Sequence, residues 1–144
     1  METCERLRLR ILCMLLCPLI GAMAGCGSSD YGSVTGTVRA EGKPLANAMV
    51  TFTPEPAGRP SSGLTDENGV YSLIYTQDQK GALIGQHTVR VSTAVAQGDY
   101  GKMSKEKLPA KYNIASEIKK EVKAGSNVID IEVDFQGKVI QPGY

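Results

Sequence analysis

The chain has 144 residues, with 16 Lys and Arg against 15 Asp and Glu, a formal net charge of +1, 16 Gly, 7 Pro and no Trp. That length holds one domain, and a near-neutral chain lacks the clustered cationic face that phosphate neutralisation requires, which argues against nucleic acid as a partner. The four cysteines lie at positions 4, 13, 17 and 26, so the chain beyond them has no thiols for a disulfide framework or a cysteine metal site.

Arg6, Arg8 and Arg10 form a basic opening diluted by Glu2 and Glu5, and an apolar run follows from Ile11 to Ile20. That run is about half of the ~20 residues a bilayer-spanning helix needs, and it ends in the small residues Gly21-Ala22-Met23-Ala24-Gly25. Residues 1–25 therefore read as a cleaved signal peptide. Met23-Ala24-Gly25-Cys26 resembles the bacterial lipobox, with Met23 where Leu is usual. The resemblance implies cleavage before Cys26 and a diacylglyceryl thioether on its sulfur, with palmitate-type chains that place the protein in the cell envelope. Two or three such chains, at about 0.8 kcal/mol per buried methylene, anchor a protein firmly to a membrane. Gly27 is not the Asp that retains some lipoproteins at the inner membrane, so the outer membrane is the expected one. Residues 26–32 read as the lipidated Cys and a flexible tether, and residues 33–144 as the domain.

From residue 33 onward the apolar residues recur with period two and no segment carries a helical stripe. Val34, Val38 and Ala40 alternate with Thr35, Thr37 and Arg39, and Glu41-Gly42-Lys43-Pro44 is a turn. Ala48, Val50 and Phe52 make a second strand, stopped by Pro54, Pro56, Gly58 and Pro60, since proline cannot donate to a ladder. A short strand at 61–66 and a run through Tyr71, Leu73 and Tyr75 flank Glu67-Asn68-Gly69, a hairpin signature. His87, Val89, Val91 and Thr93 line the next strand, a weaker one spans 118–123, and Ile129, Ile131, Val133 and Phe135 line the last. Seven short alternating strands predict an all-β, Greek-key-like sandwich.

Three stretches carry a family resemblance. Val34-Thr35-Gly36-Thr37-Val38 with Gly42-Lys43-Pro44 through Val50, then Thr65-Asp66-Glu67-Asn68-Gly69-Val70-Tyr71-Ser72-Leu73, then Gly85 through Ser92, resemble in order the signatures of carboxypeptidase regulatory-like domains. The resemblance covers residues 33–93 and implies a transthyretin-like (prealbumin-like) seven-stranded sandwich, with His87 where the family usually has an aromatic residue. Hydroxyisourate hydrolases share that fold but use several histidines and a Tyr-Arg-Gly-Ser ending. This chain has one histidine and ends Gln141-Pro142-Gly143-Tyr144.

Candidate sites are few. Counted from Asp66 as a calcium loop, the sixth residue is Tyr71 and the twelfth Gln77, where that loop needs Gly and Glu. Asp66–Gly69 is read instead as a turn with Asn68 and Gly69 at positive φ. No metal or cofactor is expected, and the lone His87 reads as a core or rim residue. The carboxylates a glycosidase would need (Asp66, Glu67, Asp130, Glu132 and Asp134) mostly alternate along an exposed strand face. The long connection 96–117 is the irregular feature. Residues 96–123 hold seven lysines against Asp99, Glu106, Glu117 and Glu121, a charge of +3, with Tyr100 and Tyr112 among them. Lys102, Lys105, Lys107 and Lys111 are candidates for contact with anionic lipid, envelope polysaccharide or another envelope protein. The plainer reading is a solvated loop pinned to the sandwich by Leu108, Pro109 and Tyr112. The expectation is a non-catalytic, lipid-anchored binding or structural module. The alternative is an enzyme or accessory subunit acting on envelope glycans.

Overall fold

A computed structural model describes residues 30–97 and 102–143; the segment 1–25 read as a signal peptide, Cys26, Asp99 and Tyr100 lie outside the described residues. The chain forms an all-β sandwich of two sheets. In order, its strands are β1 (Tyr31–Ala40), β2 (Lys43–Pro44), β3 (Met49–Pro54), β4 (Ser61–Leu64), β5 (Val70–Ser72), β6 (Ala82–Leu83), β7 (Gly85–Ser92), β8 (Ala96–Gln97), β9 (Lys102–Met103), β10 (Ile118–Val122), β11 (Gly125–Val128) and β12 (Ile131–Val133). The single helical element among the described residues is a 3-10 turn at Ala110–Tyr112.

The first alternating run builds β1, which buries Val34, Val38 and Ala40 and turns Ser33, Thr35 and Arg39 outward. Tyr31 and Gly32, expected in the tether, are its first two residues. β1 is the spine of the first sheet: β2, β5 and β6 pair antiparallel along one flank, and β11 and β12 pair parallel along the other. The second sheet runs β10-β7-β3-β4, antiparallel throughout. Between the sheets, Val34 and Val38 meet Val50, Phe52, Val89 and Val91 in one cluster with Tyr71, Leu73, Leu108, Val122, Ile131 and Val133.

The expected strands are present, and two segments differ in kind. The strands flanking Glu67-Asn68-Gly69 keep the expected antiparallel hairpin at its two ends, where the Asp66 N–H donates to the Val70 carbonyl at 2.9 Å and Ser62 bridges Ile74. Between these points they part, β4 pairing with β3 and β5 with β1, and Gly69 alone in the turn has positive φ, at 74°. Asn68 stays in the ordinary region because Asp66 shapes the turn instead. Its Oδ1 accepts the N–H groups of Asn68 and Val70 at 2.8 and 2.9 Å. Of the last alternating run only Ile131–Val133 forms a strand, β12, and a separate short strand, β11, precedes it at Gly125–Val128. Phe135, expected on the inner face, is 43% exposed.

The break in that last run fixes the middle of the molecule. The Ile129 N–H donates to the Thr35 carbonyl at 2.8 Å. The ladder then lapses, and Asp130 Oδ1 takes its place by accepting the Thr37 N–H and hydroxyl, both at 2.7 Å. The Ile129 carbonyl turns inward and accepts the hydroxyl of buried Tyr71 at 2.6 Å. Burial raises that phenol's pKa, with a smaller push from Asp130, so it stays a donor. A Cβ on Gly36 would sit 1.9 Å from the same carbonyl oxygen. Only glycine admits this approach.

Gly36→Ala should therefore lower stability by about 3 kcal/mol, at the upper end of ordinary overpacking, because the obstructing atoms are backbone. Gly143→Ala, with nothing within 4 Å of the added carbon, should leave the midpoint of chemical unfolding unchanged. Equal midpoints for Gly36→Ala and the wild type would show that the close approach imposes no constraint.

Candidate functional site

The direction of β1 gives the sandwich two ends. At the base, where β1 begins, Tyr31 pairs with Leu83 and Gly32 with Gly125, and the Ile84 N–H donates to the Asp30 carbonyl at 2.9 Å. β3 finishes at this end too, with Pro54 opposite His87. At the far end lie the Glu41-Gly42 turn, the Asp66–Gly69 turn and the described parts of the connection that leaves β7 after Ser92. Ten residues of β1, at about 3.3 Å each, separate the two ends by roughly 30 Å.

The expected basic loop is thus at the far end, and it is more ordered than a plain solvated connection. β8 and β9 pair as a small antiparallel ribbon. Leu108 is fully buried in the core cluster, with Tyr112 packed against it, so the pinning residues expected from sequence do hold the loop. The residue that sequence reasoning missed is Glu106, counted there as one of four solvated acids. It is 5% exposed. Ser92 Oγ donates to its Oε2 at 2.5 Å. Its Oε1 accepts the Thr93 hydroxyl at 2.7 Å and the N–H groups of Leu108, Thr93 and Lys107 at 2.9, 3.0 and 3.0 Å. Burial pushes this carboxyl's pKa up, but the hydrogen bonds from Ser92, Thr93 and Leu108 outweigh it, and the pKa lies below the usual glutamate value. The charged form is held by donors alone, with no ion-pair partner among the described residues. Its own backbone is clasped by Gln141, whose Oε1 accepts the Glu106 N–H at 3.0 Å and whose Nε2 donates to the Glu106 carbonyl at 2.9 Å.

The four candidate lysines do not act alike. Lys111 pairs with Asp134 at 2.9 Å and lies 4.9 Å from the Tyr112 ring centre. The Tyr112 hydroxyl donates to the same Asp134 oxygen at 2.7 Å. That hydroxyl first, then Lys111 and the Gln136 N–H, lower the Asp134 pKa to about 2. Lys119 and Lys123, further along the basic stretch, pair with Glu55 and Glu121. The free cationic surface of the loop reduces to Lys102, Lys105 and Lys107, all exposed and without a carboxylate partner among the described residues.

His87 is 1% exposed, its ring 5.9 Å from that of Phe52 and its Nδ1 3.0 Å from the Gly85 carbonyl. It packs against Phe52 as an aromatic core residue would. Burial lowers its pKa, against smaller opposite effects of Gly85 and Glu55. Asp130 and Glu132 share a shallow recess of about 190 Å³ with Thr37 and Arg39, while Asp66 and Glu67 sit apart in the turn between β4 and β5. Both recess carboxylates are engaged, Asp130 by Thr37 and Glu132 by the Gly42 N–H at 2.7 Å. Among the described residues no group of three or more His, Cys, Asp or Glu is placed to hold a metal ion.

A larger cleft of about 400 Å³ opens along the edge of β4, lined by Met49, Arg59, Ser62, Leu64, Ile74 and Tyr75 among others. The Arg59 guanidinium lies 5.8 Å from the Tyr75 ring centre, and Tyr75 stands 4.9 Å from Tyr31. One sequence signal for it existed: Leu64 and Ile74 are apolar at outward-facing positions, and they are 49% and 51% exposed.

No family model matches the sequence, and no curated protein matches it. A DUF3823 family protein from Parabacteroides merdae has a solved structure with partial likeness, at 13% identity and a TM-score of 0.39 over 73% of this chain. The likeness spans 46% of that protein's chain, so this chain covers less than half of it.

Removing the Glu106 carboxylate leaves several buried donors unpaired, so Glu106→Ala should destabilise the domain by about 2–4 kcal/mol. Glu106→Gln should also flatten the acid limb of the stability curve. Its folded pKa lies below the unfolded one, so its contribution is complete above the usual glutamate range and is lost as pH falls through and below it. Thermal unfolding from pH 7 to pH 3 measures both effects; an unchanged acid limb in Glu106→Gln would exclude this carboxylate as its source.

Proposed function

We propose that this protein is a lipid-anchored envelope protein of the carboxypeptidase regulatory-like kind. Its sandwich is a non-catalytic module that holds a cationic loop away from the membrane. One observation carries the reading: β1 begins five positions after Cys26, and Lys102, Lys105 and Lys107 lie at the opposite end of the sandwich from that start. Five residues reach at most about 17 Å, and the sandwich adds roughly 30 Å. A loop at that height faces the space beyond the bilayer surface, so envelope polysaccharide or the acidic surface of another protein suits it better than the headgroups of its own membrane. Surface potentials fade within about 8–10 Å, which puts the three lysines beyond the field of that bilayer when the domain stands on its base.

The anchor is tested by metabolic labelling with a palmitate analogue. Wild-type protein should carry the label and fractionate with membranes. Cys26→Ser should carry none and should accumulate as uncleaved or soluble protein. An unlabelled wild type that still fractionates with membranes would refute acylation at Cys26.

The loop is tested by binding of the mature protein to an anionic polysaccharide at two salt concentrations. Changing Lys102, Lys105 and Lys107 together to Gln should weaken binding and reduce its salt dependence. Folding should be unaffected, since exposed charge changes alter stability by about 0.5 kcal/mol or less. Identical salt-dependent binding by the triple variant would assign the contact to another surface.

A further inference from the structure

We infer that the base of the sandwich is a membrane-seating surface, with Tyr31, Arg59, Tyr75 and Ile84 at the headgroup level of the bilayer. The inference rests on the lipid anchor proposed at Cys26 and names the surface that the anchor would bring into contact. Only residues 27–30 separate Cys26 from β1, which confines Tyr31 to within about 17 Å of the acylated residue. Whatever end of the domain carries Tyr31 is held against the membrane.

That end has the side chains such a surface needs. Ile84 is 44% exposed although its backbone N–H is fixed to Asp30, so an apolar group is presented by a rigid part of the fold. Tyr31 and Tyr75 form a ring pair 4.9 Å apart, with Arg59 over Tyr75. Tyrosines with an apolar body and a polar tip partition to the membrane interface, and a guanidinium beside them matches lipid phosphate. The charges at this end leave one excess cation. Asp30 and Asp78 stand against Arg59 and Lys80, Glu55 and Glu121 pair with Lys119 and Lys123, and Lys120, opposite His87 on β10, has no carboxylate partner among the described residues. A slightly cationic surface is not repelled by anionic lipid. The outward side of β1 carries Ser33, Thr35 and Arg39 and the other layer Ser62 and Arg90, while the exposed apolar Leu64 and Ile74 line the cleft along β4.

The chain has no Trp, so one introduced indole reports its own surroundings. The full-length lipoprotein, its acylation verified by mass spectrometry, would be reconstituted into vesicles with and without brominated phospholipid as Ile84→Trp, Ala124→Trp and Phe135→Trp. Ala124 is exposed in the turn between β10 and β11 at the base, and it carries the test if Ile84→Trp fails to fold. Phe135 is exposed beyond β12 at the far end. In brominated vesicles the Trp at 84 or 124 should lose most of its emission, and the Trp at 135 should keep it. Quenching at 135, or quenching nowhere with the protein bound to vesicles, overturns the seating while leaving the anchor intact. Absence of the acyl mass, with no vesicle association, overturns the anchor itself.

Discussion

The approach of the Ile129 carbonyl to β1 at Gly36 is the constraint on which the rest of the sandwich depends. β1 is wide enough in hydrogen-bonding terms for two flanks only, and both are used. The parallel flank must break once to carry the chain from β11 to β12, and a break inside a sandwich strands polar backbone. Three side-chain choices resolve it together. Gly36 removes the atom that would block the carbonyl, Tyr71 reaches through the core to donate to it, and Asp130 satisfies Thr37 where the ladder lapses. Tyr71 comes from the opposite flank, so this junction ties both sides of the sheet and the interior to one point.

A second solution to the same problem organises the far end. A connection as long as 93–117 carries many backbone donors, and the part of it that covers the core cannot leave them bare. One buried carboxylate collects several of them at once, and a side-chain amide from the C-terminal segment substitutes for a strand beside it. Because the Glu106 charge is buried among its hydrogen-bond donors and the Lys111 charge is paired with Asp134, the cationic surface of the segment rests on the three lysines that neither network uses.

Much of the fold was legible in the sequence because period-two alternation reports directly which face of a strand meets the core. It placed Val34, Val38, Val50, Phe52, Val89 and Val91 inside, where they are. It misjudged Phe135 because alternation does not say where a strand stops, and it gave no sign that the strands beside the Asp66–Gly69 turn part into different sheets, because a hairpin that splits uses the same residues as one that does not. The site was less legible. Glu106 lies among lysines, so a charge count reads it as solvated; only the fold shows that Ser92 and Thr93 converge on it. Arg59 and Tyr75 are 16 positions apart and no local pattern joins them. The membrane-side expectations rest on a linear pattern in residues 1–26, which lie outside the described residues.

The parallel pairing of β1 with β11 and β12 has a consequence in time. Gly32 finds Gly125, and Ala40 finds Val133, only after more than 90 residues of intervening chain are available, so the first strand made is among the last to be completed. A chain that emerges N-terminus first holds its longest strand with one flank open until its C-terminal part arrives, and distant pairings of this kind form slowly. The complete sandwich becomes attainable only once residue 133 is available to pair.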